Sequence, residues 1–129
     1  MGLLNKLFGS QVEESEAKML PWIPLSQSPQ LEDIKRKSMI KTQVIFKYST
    51  RCGISRLVLS QFEEDYNFSE TDFDLYFLDL ISHRDVSNEV SYKFQVIHES
   101  PQILIIKNGV TIAHSSHGAI NDMDLKRFI

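Results

Sequence analysis

Cys52 is the single cysteine of the chain. It stands in Ser49-Thr50-Arg51-Cys52-Gly53-Ile54-Ser55, where an apolar strand pattern gives way to an amphipathic helical one. A sulfur at the first turn of a helix meets unpaired backbone N–H groups and the positive end of the helix dipole, and both favour thiolate over thiol. Arg51 adds a neighbouring cation, Ser55 offers a hydroxyl donor one turn along, Gly53 leaves a free N–H beside the sulfur, and Thr50 is able to cap the helix start. Surroundings of this kind lower a thiol pKa to about 3.5–7.5, against about 8.5 for a free cysteine. Cys52 is therefore read as a nucleophile and not as a small buried hydrophobe. The other polar candidates are weaker. Glu63, Glu64 and Asp65 follow one another on a helix and form a solvated face, not a paired acid and base. Asp79 closes a strand, where a capping or turn-stabilising hydrogen bond is expected. His83, His98 and His114 fall near element ends, where an exposed or capping role is expected. No histidine pair has the spacing of a metal motif, so no zinc site is expected.

The elements that must position Cys52 follow from hydrophobic periodicity. Val44-Ile45-Phe46 is a short apolar run suited to a strand covered on both faces. Ile54, Leu57, Val58, Phe62 and Tyr66 then recur at helical spacing, which makes a core-facing helix with Cys52 at its N-terminal tip. Before them, Pro21-Trp22-Ile23-Pro24-Leu25 suits an edge strand, because proline cannot donate to a central ladder. Ser28 and Pro29 mark the cap and first position of a helix that ends in the basic run Lys35-Arg36-Lys37, at the helix C-terminus where positive charge is favoured. After them, Leu75 to Ile81 reads as a second buried strand. A helix carrying Val86, Val90 and Phe94 follows, with Ser82 as its cap. Ile103 to Ile106 and Val110 to Ala113 flank Asn108-Gly109, a strong hairpin signal. A last helix is expected from about Asn121, with Ile120 and Leu125 as its hydrophobic staple. The order β-α-β-α-β-α-β-β-α predicts an α/β domain with a mixed central sheet and helices on both faces.

A chain of 129 residues supports one domain, and its 42% hydrophobic content fits a folded soluble protein. A formal net charge of −3 without a basic stripe argues against a nucleic-acid partner. One cysteine cannot form an internal disulfide, so the thiol is kept reduced or exchanges with other molecules. Residues 1–19 read as a flexible tail with an acidic linker. Asn5 and Lys6 interrupt its apolar part, leaving it too short for a signal-peptide core or a membrane span. Lys6 also stands where a myristoylation motif requires Ser or Thr. A cytoplasmic protein is expected.

The element order, with a cysteine after the second strand, resembles the thioredoxin fold over residues 20–129. Where thioredoxins carry a second cysteine three positions on, this chain has Ser55, so a mixed disulfide formed at Cys52 must be resolved by an external thiol. The resemblance implies that Ser100-Pro101 is the cis-proline loop, presenting backbone to an extended substrate; without it the bond would be expected to be trans. It also implies that the loop Ser115 to Ala119 walls the site and carries His117 toward Cys52. There a protonated imidazole would stabilise the thiolate, whereas a distant one would be a surface residue.

More narrowly, Trp22-Ile23-Pro24-Leu25, Phe46 to Cys52, Ile54-Ser55, Glu99-Ser100-Pro101-Gln102 and Ser116-His117 resemble the YtxJ family, the single-cysteine bacilliredoxin-like proteins. Gly53 stands where that family usually carries proline. The resemblance implies a monothiol oxidoreductase with no bound cofactor and bacillithiol as the low-molecular-weight co-substrate. It further implies a monomer whose partners are S-thiolated client proteins, with Cys52 as the redox-active thiol and Pro101 as the cis-proline. Two alternatives stand beside it. Cys52-Gly53-Ile54-Ser55 is similar to the C-G-F-S site of monothiol glutaredoxins, some of which hold an iron–sulfur cluster, and a thioredoxin-fold adaptor could carry an incidental thiol.

Overall fold

The computed structural model describes residues 19–129, so the expected N-terminal tail, up to residue 18, lies outside the described residues. Five strands form one sheet: β1 (Trp22–Pro24), β2 (Thr42–Tyr48), β3 (Phe73–Asp79), β4 (Gln102–Lys107) and β5 (Val110–Ser116). Their order across the sheet is β1-β3-β2-β4-β5, with β1, β3 and β2 parallel and β4 and β5 antiparallel to their neighbours. Three α-helices connect them: α1 (Pro29–Lys37), α2 (Gly53–Asp65) and α3 (Arg84–Phe94). This is the α/β order expected, with β1 at the edge that its two prolines require.

Residue alternation along the strands separates two cores. Ile45, Tyr76, Leu78, Leu104 and Ile106 point to one face and pack with Leu31 and Ile34 of α1 and Val86, Val90 and Phe94 of α3. Val44, Phe46, Phe73, Leu75, Ile103 and Ile105 point to the other and pack with Val58 and Phe62 of α2. Side chains alternate with a period of two, so β2 serves both cores. On the second face Trp22 sits with its ring centroid 5.9 Å from both Phe46 and Phe62 and 5.5 Å from Phe77. Its indole N–H donates to Glu63 on α2 at 2.8 Å. The β4–β5 turn has Asn108 at φ 55° and Gly109 at φ 84°, the left-handed pair that a two-residue hairpin demands.

Several local expectations are corrected. Ile54 and Leu57 are 47% and 70% exposed, because only Val58, Phe62 and Tyr66 of that helical series reach the core. Ser28 makes no side-chain cap bond; instead Gln30 Oε1 accepts from the N–H groups of Ser26 and Gln27 at 2.8 and 2.9 Å. Ser82 does not cap α3 either: its hydroxyl donates to Asp79, whose carboxylate also accepts from the Ile81 N–H at 3.1 Å. Asp79 thus holds the turn after β3, as its strand-end position predicts. The last helix is replaced by two short 3₁₀ segments, His117–Asp122 and Leu125–Phe128. Gly118, Asn121, Asp122 and Asp124 are weak helix formers that compete for backbone groups. Asp124 accepts from Lys126 N–H at 3.3 Å and restarts the turn. Ile120 and Leu125, the expected staple, are both buried in the second core.

Candidate active site around Cys52

Strand β2 ends at Tyr48, and the chain turns through Ser49, Thr50 and Arg51 into α2. The turn is closed by Cys52 N–H donating to the Ser49 carbonyl at 3.2 Å, and the helix opens with Ser55 N–H donating to the Cys52 carbonyl at 3.1 Å. Cys52 is the N-cap residue, extended at φ −111° and ψ 116°, and partly exposed. Its thiol is held below the ordinary cysteine range, first by the backbone N–H of Ser55 and then by the Ile54 N–H and the Ser55 hydroxyl, against an opposing push from burial. These are the unpaired donors of a helix N-terminus, and they stabilise the charged sulfur by hydrogen bonding. Ser55 is wholly buried, and its oxygen lies 3.5 Å from the Ser49 N–H. The hydroxyl is therefore fixed between strand and helix.

Three of the residues expected to support the thiolate are not among its hydrogen-bond donors. Thr50 is exposed, and α2 has no side-chain cap bond, because Cys52 itself occupies the N-cap position. Arg51 is exposed and is absent from the groups that shift the thiol; a solvated guanidinium is screened. The Gly53 N–H does not act on the sulfur either, since the donors are one and two residues further on.

Strand register brings the second part of the site to the same end of the sheet. Gln102, the first residue of β4, pairs with Lys47 near the end of β2 and with Ser116 at the end of β5. The loop before β4 and the loop after β5 therefore flank the turn that leads to Cys52. The Ser100–Pro101 bond is cis, as the fold resemblance implied. Pro101 is buried, and its carbonyl accepts from the His117 N–H at 3.0 Å. Ser100 Oγ is enclosed and has no hydrogen-bond partner. His117 is exposed, with φ 57°, and its imidazole is not among the groups that lower the Cys52 thiol. Its contribution is a backbone contact to Pro101.

Lys47 escaped the sequence reading. It is fully buried in the central strand, and its Nζ lies 3.2 Å from the Ser87 carbonyl, 3.1 Å from Ser91 Oγ and 3.2 Å from His98 Nδ1. Desolvation lowers its pKa to about 8. His98 is lowered too, first by burial of its inward edge, then by Lys47 and Arg84, with Glu99 opposing. The signal was available in the alternation of β2, since Lys47 shares a face with Ile45 on a strand covered on both sides. Among the described residues no three His, Cys, Asp or Glu side chains converge as a metal site, and no helix is long and apolar enough to cross a membrane.

Architecture and site together define a thioredoxin-fold protein with one cysteine at the tip of its second helix. Thioredoxins of Schistosoma mansoni and Malassezia sympodialis share the fold: the first is 22% identical over 84% of this chain and 95% of its own, with a TM-score of 0.61. For the second the values are 20%, 81%, 82% and 0.58. A thioredoxin-fold structure assigned as an oxidoreductase is 33% identical over 81% of this chain and 90% of its own, with a TM-score of 0.68. Residues 23–125 match the monothiol bacilliredoxin BrxC family, and the chain belongs to it. Its function is thiol redox chemistry.

Proposed function

We propose that this protein is a cytoplasmic, monomeric monothiol oxidoreductase that removes a low-molecular-weight thiol, bacillithiol, from mixed disulfides on client proteins. The observation that carries this reading is the set of Ser55 and Ile54 donors on the Cys52 sulfur, which raises the thiolate fraction near neutral pH. In the first step the Cys52 thiolate attacks the small thiol's sulfur. A Cys52–small-thiol disulfide forms, the original S–S bond breaks, and the client leaves as a thiolate that takes a proton from water. A second small thiol then attacks this disulfide, frees Cys52 and leaves as the symmetric small disulfide. Ser55 occupies the position a resolving cysteine would take, so this second step needs an external thiol. Ser100 and Pro101 line the client segment beside the thiol, and His117 holds that loop through its backbone.

The test is incubation with a protein carrying bacillithiol as a mixed disulfide, followed by intact-mass measurement. The expected product is Cys52 carrying the small thiol while the client mass falls by the same amount. A client that keeps its modification at pH 7 to 8 refutes the reading. Membership of the bacilliredoxin family supports this reading over an iron–sulfur carrier.

A further inference from the structure

Lys47 takes no part in the chemistry above, yet an ammonium enclosed without a carboxylate is costly compared with an apolar side chain. It is not a base for Cys52. Val44 and Phe46 face the core shared with α2, whereas Lys47 points to the opposite face and bonds Ser87 and Ser91 of α3. An ammonium has three donors and no acceptor, so its three neighbours must all accept, which makes His98 neutral with Nδ1 unprotonated. His98 lies in the loop that leads into Pro101. Gln102 grips this loop on either side of His98, its amide donating to the Ile97 carbonyl at 3.0 Å and its Oε1 accepting from Glu99 N–H at 3.4 Å. Gln102 is itself the β4 partner of Lys47 in the sheet. The loop thus has two ties to one point of the sheet, a fixed one through Gln102 and a titratable one through His98.

We propose that Lys47 is a positioning residue for the transfer reaction, which holds His98 and through it the 97–101 loop that offers Ser100 and Pro101 to the client. The inference rests on the oxidoreductase reading for its substrate. Protonating His98 turns its Nδ1 from acceptor to donor against an ammonium, so the tie is intact above the His98 pKa and lost below it. The charged groups facing His98 are Lys47 from β2 and Arg84 from α3, which disfavour its protonation, and Glu99 from its own loop, which favours it. Acid therefore loosens the loop and weakens client engagement, an effect on KM that is separate from the protonation of the Cys52 thiolate itself.

The experiment uses the full chain with a bacillithiol mixed disulfide as substrate. His98 is exposed, so its variants keep the core intact. His98→Leu is expected to raise KM by about three- to tenfold, the size of one lost hydrogen bond, with kcat and the pH profile of Cys52 alkylation unchanged. His98→Asn, which keeps an acceptor near the Nδ1 position and does not titrate, is expected to restore the KM and to abolish its rise in acid. Adding Lys47→Met to His98→Leu should raise KM no further. An unchanged KM in His98→Leu, failure of His98→Asn to rescue, or a parallel change in alkylation overturns the inference. Amide hydrogen exchange in residues 97–100 separates this from failure of the reading beneath it. Faster exchange in His98→Leu without substrate supports the tie even if no transfer occurs, and unchanged exchange refutes it even if transfer is rapid.

Discussion

Cys52 and Lys47 stand at the two sides of the same strand end, and both have a lowered pKa, but the shifts mean opposite things. For the thiol, the donors of Ser55 and Ile54 stabilise the charged form. For the lysine, burial destabilises the charged form and nothing of opposite charge compensates. One group is prepared to react because it is partly exposed and hydrogen-bonded. The other is held poised because it is enclosed. A shift by itself therefore does not mark a reactive group; its cause does.

The comparison can be broken most severely at its thiol side. Cys52→Ser should abolish transfer while leaving the fold and melting profile intact, and any residual transfer seen by intact mass would remove the thiol from the chemistry. Lys47→Met tests the other side through stability. Between pH 8 and pH 10 the unfolded chain keeps a proton on Lys47, whose ordinary value is 10.5, whereas the folded chain has released it at about 8. Unfolding then takes up a proton, so folded stability rises with pH across this window, by roughly 2 kcal/mol. Tyr66 and Tyr76, pushed up to about 12 by burial, act in the opposite sense as pH approaches and passes their ordinary value of 10.0, and they do so equally in wild type and Lys47→Met. Denaturant unfolding at pH 8, 9 and 10 should show the wild type gaining stability relative to Lys47→Met as pH rises; parallel curves would contradict the assignment.

Smaller changes sharpen the thiol side. Ser55→Ala removes one donor from the sulfur and the acceptor facing the Ser49 N–H, so the thiol pKa should rise and stability fall by about 1 kcal/mol. Alkylation rates against pH decide the first part, and an unmoved profile would assign the whole effect to the backbone. Gly53→Pro should stabilise by about 0.4–1 kcal/mol and leave the alkylation profile where it was. A Cβ there meets nothing within 4 Å, Cys52 already has the extended backbone that a following proline requires, and the lost N–H does not serve the sulfur. A rise in the thiol pKa would show that this N–H does serve it. The smallest expected effect is that of Arg51→Ala, for which the alkylation curve should overlay the wild type.

Much of this arrangement was legible from local rules. The strand alternation, the prolines around Trp22, the Asn108-Gly109 turn and the change of period at Cys52 each carry a short-range physical signature, and together they order the elements. The supporting residues are less legible, because proximity in sequence is not contact: Thr50, Arg51 and Gly53 adjoin the thiol, but the donors come from Ile54 and Ser55. Ile54 and Leu57 lie on the helical series, yet both are exposed, and the buried positions of the helix are Ser55, Val58 and Phe62. Lys47 and His98 lie 51 residues apart in the chain, and the pairing of β2 with β4 brings them together. No window of sequence contains that pair, and it required the strand order.

Trp22 is the sole tryptophan, and it links the edge strand β1 to Glu63 of the helix that begins at the thiol. Its indole is packed against Phe46, Phe62 and Phe77. The chain thus contains one indole, excitable selectively over its four tyrosines, whose hydrogen bond ends on α2. Emission from that indole is an optical gauge of whether α2 stays seated when its far end changes chemical state, with no label attached.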